Sequence, residues 1–287
     1  MVRETGAAGH RIPTSRRSSV ADERQATGGA DQGDARARRG PPQSWRGQIF
    51  VGPQVGVFRG IAGDNALHAH GAHQLSVGLD SLVTIHGPAR PISARAVFIA
   101  ASSVHRVEGR RVLSVYADVS GRVGIAKRAS AGSLDPIARI PDRLAARLAA
   151  LGGGEGELDA EVVTGIAQEL GGGAACLEPD PALARVARAL SQPTAPDAIP
   201  RRRELASLLG MSESRFSHWF RERAGMPMQT YRKWQRLTRA VERILDGEPM
   251  AAAAAQAGFA DQAHFVRTFR AMFGINPVRA LGRARKQ

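Results

Sequence analysis

The chain has 287 residues, a hydrophobic share of 43% and one cysteine. That is enough apolar material for about two cores, and it excludes both a wholly disordered chain and a disulfide-stapled secreted scaffold. The formal charge of +14 is unevenly spread: residues 48–197 carry 14 basic and 14 acidic side chains, whereas residues 198–287 carry 17 basic and 7 acidic. A polyanionic partner is therefore expected for the C-terminal part alone.

Residues 1–47 are rich in Arg, Gly, Ala, Ser, Asp and Gln and nearly devoid of branched aliphatic or aromatic side chains. They cannot offset the entropy of ordering, so a disordered leader is expected, either a dispensable tail or the product of an upstream-misassigned start. No run approaches the roughly 18 apolar residues of a membrane helix, and the Arg16-Arg17 pair lacks the apolar stretch of an export signal, so a soluble cytoplasmic protein is expected.

From residue 48 to 123 the pattern changes to short apolar runs: Val55–Phe58, Leu75–Leu79, Leu82–Ile85, Ala96–Ala100 and Val112–Tyr116. Gly, Pro, Asp and Ser punctuate them at short intervals, which predicts an antiparallel barrel or sandwich. Histidines gather in this region, with His68, His70 and His73 in HAHGAHQ, then His86 and His105. Residues two apart on a strand point the same way, so His68 and His70 can converge, and a histidine on a later strand could close a metal site.

Residues 124–180 read as a helical connector. Ile140, Leu144, Leu148 and Leu151, then Leu158, Val162, Ile166 and Leu170, recur at intervals of three and four on either side of Gly152-Gly153-Gly154. Such helices could pack on the β region or against a second subunit. Cys176 falls in a linker, Gly171–Pro181, and reads as a small apolar filler. A further helix over Leu183–Leu190 opens the basic region, 181–287.

That region contains an internal repeat of about 49 residues. Ala206 and Gly210 answer to Ala254 and Gly258, Phe216 and Phe220 to Phe265 and Phe269, Gly225 to Gly274, and Pro227 to Pro277. Each copy reads as helix, tight turn, helix. Glu204–Leu209 and Met250–Ala257 are the first helices, with a small residue where a second helix crosses; Gly210 and Gly258 end them in the left-handed conformation. Ser212 and Asp261 cap second helices over 213–224 and 262–273. The phenylalanines spaced four apart bury one face. The opposite face carries Ser214, Ser217, His218 and Arg221 in the first copy, and Gln262, Ala263, Val266, Arg267 and Arg270 in the second. Arg and Gln suit bidentate bonds to guanine and adenine, Ser and His donate or accept, and Ala and Val meet a thymine methyl. One helix over Met228–Asp246, ~28 Å long, separates the copies and could set the two second helices into adjacent turns of the major groove, which lie ~34 Å apart.

The stretch from Arg203 to Leu281, with GFADQAHFVRTFRAMFGINPVRAL in its second half, resembles the DNA-binding domain of the AraC/XylS family of bacterial transcription regulators. The resemblance implies a seven-helix domain with two helix-turn-helix motifs. It places Ser214, Ser217, His218, Arg221, Gln262, Ala263, Val266 and Arg267 at base-reading positions and Arg270 on phosphate. The histidine-bearing region is similar to the degenerate cupin sensor of many such regulators. There His68, His70, His73 and His105 would line an effector pocket. Gln74 stands where a metal-dependent cupin would carry a carboxylate, and Ala101-Ser102-Ser103-Val104 lacks the usual proline and glycine, so no metal, cofactor or catalytic residue is expected.

The fold expected is α+β: a cupin-like antiparallel β-barrel, a helical connector that could dimerise, and an all-α domain with two helix-turn-helix motifs. The expected partners are double-stranded DNA, a small-molecule effector, a second copy of the chain and, for an activator, RNA polymerase. The alternative from another class is a cupin-type metalloenzyme with an accessory DNA-binding domain.

Overall fold

A computed structural model describes residues 44–52, 54–121, 135–171, 180–191 and 200–281, all within one compact unit. Of the leader read above, 1–47, residues 1–43 lie outside the described residues, as does Cys176, whereas Arg46 and Gly47 are not disordered but open the first strand, paired with Ile61 and Gly60.

Nine strands are described: β1 Arg46–Gly52, β2 Val55–Ile61, β3 Ala72–Gly78, β4 Val83–His86, β5 Ile92–Ala94, β6 Ala96–Ile99, β7 Arg106–Glu108, β8 Arg111–Asp118 and β9 Ile137–Arg139. All pairings are antiparallel. The larger sheet runs β1-β2-β8-β3-β6-β9 and the smaller β5-β4-β7. Among the described residues this is two sheets and not the closed barrel expected from the sequence. The strands of the small sheet are only three or four residues long and pair only with each other, so no ladder carries them round into the large sheet.

The large sheet is buried on both faces, and its side chains divide by the period of two. Leu75 and Val77, opposite Val115 and Leu113, face the connector helices. Phe58, Val97, Ile99 and Val112 face the small sheet, where Val83, Ile85 and Val107 meet them. The connector helices α1, Asp142–Gly152, and α2, Ala160–Gly171, lay Leu148, Ile166 and Leu170 on the first face. They therefore pack on the sheet within this chain. Leu151, expected on the buried stripe, is 42% exposed, and Ala145 is buried instead. Ile140 directly follows a strand the sequence did not reveal, β9, and its N donates to Ala96 O at 3.0 Å. The buried Arg59 on β2 bonds to Gln48 Oε1 at 2.6 Å and to the backbone carbonyls of Gly152 and Gly156, tying sheet to connector.

Seven helices follow among the described residues: α3 Pro181–Ser191, α4 Arg202–Leu208, α5 Glu213–Ala224, α6 Met228–Leu245, α7 Met250–Gln256, α8 Gln262–Phe273 and α9 Pro277–Leu281. Their shared core is built from Phe216, Phe220, Phe265, Phe269, Leu237 and Leu205, and it draws in Ile49, Val51 and Tyr116 from the sheet. The β region and the helical region therefore meet along a common apolar seam.

Candidate nucleic-acid interface and the pocket behind it

The two copies of the repeat share their turn chemistry atom for atom. In the first, Met211 N donates to Ala206 O at 2.9 Å and Gly210 N to Ser207 O at 3.1 Å. In the second, Phe259 N donates to Ala254 O and Gly258 N to Ala255 O, both at 3.0 Å. Gly210 and Gly258 have φ of 64° and 83°, a conformation costly for any residue with a Cβ. Ala206 and Ala254 are buried at the helix crossings, as their size requires.

Ser212 Oγ caps α5 by accepting from Arg215 N at 3.4 Å, and Asp261 Oδ1 caps α8 by accepting from His264 N at 2.5 Å. Both helices span the residues expected of them. Phe216, Phe220, Phe265 and Phe269 are buried. Ser214, His218 and Arg221 on one helix, and Gln262, Ala263, Arg267 and Arg270 on the other, are exposed, while Ser217 and Val266 are half-buried at the stripe edges. Ser217 Oγ also donates to Glu213 O at 2.8 Å within its own helix. Arg221, Arg267 and Arg270 enter no ion pair among the described residues. Between the motifs, α6 is 18 residues long and spans ~27 Å.

Behind this face lies a cavity of about 580 Å³ between β1–β2 and the helical region. Phe50, Phe58, Trp234, Phe269 and Phe273 supply much of its apolar wall, and Asp118, Gln235, Arg239 and Glu242 its polar edge. Asp118, at the end of β8, accepts from Tyr231 Oη at 2.8 Å, Gln235 Nε2 at 2.7 Å and Ser120 Oγ at 2.6 Å. Burial pushes its carboxyl above the usual range, and these hydrogen bonds oppose the shift. The network bolts the sheet to the long helix. No periodicity or motif in the sequence marks it.

Of the four histidines expected at an effector pocket, only His68 borders this cavity. His68 and His105 form a β-bridge, which brings their rings to 4.3 Å. His70 joins them, 5.1 Å from His105. All three are buried, and burial lowers their pKa values, that of His105 to about 4. His73 points to the opposite face of β3, accepts from Ala101 N at 3.2 Å and packs on Phe98. His86 is apart from both, against Glu108 at 2.7 Å. Gln74, which the sequence reading passed over for want of a carboxylate, lies within the cluster.

Two capped helices of matching build, each ending a helix and a tight glycine turn, define a double helix-turn-helix DNA-binding domain. Residues 205–283 match the protein family described as a helix-turn-helix domain. In three dimensions the chain is similar to an apo variant of ToxT from Vibrio cholerae strain SCE256, with a TM-score of 0.56 and 12% identity over 83% of this chain and 99% of that one. It is similar too to ToxT from Vibrio cholerae O395, with a TM-score of 0.55 and 13% identity over 80% and 97% of the two chains. The unsaturated fatty acid-bound wild-type ToxT of strain SCE256 gives a TM-score of 0.50 and 12% identity over 85% and 96%. No curated protein matches the chain by sequence. The C-terminal domain is thus an AraC-type helix-turn-helix domain. The chain as a whole has a ToxT-like fold. Among the described residues, no helix is long and apolar enough to cross a membrane.

Proposed function

We propose that this regulator reads two adjacent major-groove segments of double-stranded DNA. Ser214, Ser217, His218 and Arg221 contact bases from α5, and Gln262, Ala263, Val266 and Arg267 from α8, while Arg270 meets phosphate. The observation that carries this reading is the pair of like-built helices that bury their phenylalanines and leave the matching outer stripes open. The protein acts by binding and not by catalysis.

Its effector is a small, largely apolar molecule with one polar end, held in the cavity of about 580 Å³ where His68 forms part of the wall. The aromatic lining and the polar edge at Asp118 and Gln235 support that chemistry, as does the fatty acid bound by ToxT on the same fold. The same reading makes the protein cytoplasmic and homodimeric, with RNA polymerase as a further partner where it activates.

Genome-wide mapping of bound DNA, with and without an added fatty acid, yields operator and effector response together. On the operator so found, Arg267→Ala weakens binding by about 1–3 kcal/mol and relaxes specificity at one position. Equal weakening on operator and random DNA would overturn the base-reading assignment.

A further inference from the structure

We infer that His68, His70 and His105, completed by Gln74, form a binding site for one divalent transition metal ion, placed where its occupancy is felt by the second reading helix. The first argument is the geometry of the donors. One ring nitrogen of each histidine lies within 4.8 Å of the other two, in a buried cluster.

The second argument is the direction of the lone pairs. His68 Nδ1 lies 2.9 Å from Ala66 O, His70 Nδ1 3.0 Å from Ala72 O, and His105 Nδ1 2.9 Å from Ser103 O. A carbonyl oxygen only accepts, so each Nδ1 carries the proton and each Nε2 presents a lone pair. Backbone carbonyls holding Nδ1–H, with Nε2 of His70 and His105 turned to Gln74 Oε1, is the arrangement that fixes imidazoles as metal ligands.

Gln74 supplies the third argument. Its Oε1 lies 2.8 Å from His70 Nε2 and 2.9 Å from His105 Nε2, while its Nε2 donates to Ser76 Oγ at 2.8 Å. Lone pairs of two imidazoles therefore face a carbonyl oxygen with no proton between them. A cation among these acceptors removes the repulsion. Three imidazole nitrogens and one amide oxygen make a tetrahedral set suited to zinc, cobalt or iron in the divalent state. Without metal the same repulsion is relieved by turning the Gln74 amide end for end, so that its NH2 donates to both rings and its oxygen accepts from Ser76.

The site sits on the seam between the two regions. The His70 ring is 5.7 Å from Trp234 on α6 and 6.0 Å from Phe273 at the end of α8. Ala66 N donates to Gly274 O at 3.0 Å, so the loop bearing His68 is hydrogen-bonded to the residue that ends the reading helix. Metal–nitrogen bonds of ~2.0–2.1 Å set tetrahedral ligand atoms ~3.3 Å apart. Binding therefore resets the spacing of the cluster, moving the Gln74 oxygen away from the two nitrogens it faces at 2.8 and 2.9 Å, and with it the surface on which Trp234 and Phe273 rest. The effect on DNA rests on the regulator reading above; the metal site does not.

The test is titration of the chelator-treated full chain with Co(II), followed through its visible ligand-field absorption, and then with Zn(II) in competition. One equivalent is expected, with Zn(II) displacing Co(II). His105→Ala and His68→Gln should each lower affinity by about 10–100-fold or abolish it. Gln74→Glu keeps a polar group in place and should tighten binding about tenfold or more by adding negative charge; it stands as the readout if a histidine variant fails to fold. No uptake by the wild type, or uptake unchanged in all three variants, overturns the site. Operator affinity is then measured with and without metal. Altered affinity supports the coupling, and identical affinity in a metal-loaded chain overturns it. Loss of operator recognition in both states sinks the function proposed above and leaves the Co(II) result standing.

Discussion

In the first helix-turn-helix motif the glycine that ends the reading helix, Gly225, faces open space; its counterpart Gly274 lies against the backbone of Ala66. Both have φ of 69°. Phe273, one residue before Gly274, packs on His70, Tyr116 and Trp234. The residue at the equivalent place in the first motif, Ala224, is a buried alanine with no ring to reach across the seam. One design has thus been used twice, once as a free reading head and once as a head docked on the β region. The difference teaches that the repeat fixes the build of each motif, while its surroundings decide which copy is docked on the β region.

That comparison can be broken at several points, in falling order of effect. Removing a core phenylalanine should unfold either motif alike. Phe220→Ala and Phe269→Ala are each expected to cost about 3–5 kcal/mol, checked by chemical denaturation of the full chain. A large difference between them would deny the shared architecture.

The glycine pair separates the motifs. Gly225→Ala meets only the left-handed strain, about 1–2 kcal/mol. Gly274→Ala meets the same strain and places its Cβ 2.4 Å from Ala66 O and 2.8 Å from Ala66 N, where backbone must shift. A clearly larger drop in melting temperature is expected for Gly274→Ala. Equal drops would show that the second motif is not docked.

The reading stripes should again behave alike. Arg221→Ala and Arg267→Ala are each expected to weaken operator binding by about 1–3 kcal/mol, with protection from nuclease lost at opposite ends of the site. Loss at the same end would contradict adjacent placement along the groove. The smallest effect is at the caps. Ser212→Ala and Asp261→Ala should each cost about 1 kcal/mol, read from thermal melting, because each leaves one helix amide without its side-chain acceptor.

How much of this was legible depends on how local each feature is. The reading helices could be bounded to the residue because Ser212, Asp261, Gly225 and Gly274 act within one turn of the helix they limit. β2, β3, β4, β6 and β8 announce themselves by apolar runs, whereas β5, β7 and β9 have three residues each, too few to show a period. β1 alternates weakly, since one of its faces is shared with the helical region through Ile49 and Val51. The convergence of His68 and His70 with a later histidine was legible from strand periodicity. The exclusion of His73 follows from the same rule, because an odd step from Gln74 sends it to the other face of β3.

The amino-acid order by itself determined the basic C-terminal domain, its duplication, its caps and the outer faces of its two matching helices, because helices, turns and local charge are set by interactions a few residues apart. Only the tertiary structure decided that the strands form two sheets, that the connector helices spend their apolar faces on one of them, and that a cavity opens on the seam. It likewise decided that Gln74 sits between two lone-pair nitrogens and that Gly274 rests on Ala66. Those outcomes depend on which distant surfaces meet, and long-range packing of near-equivalent apolar faces leaves no periodic trace along the chain.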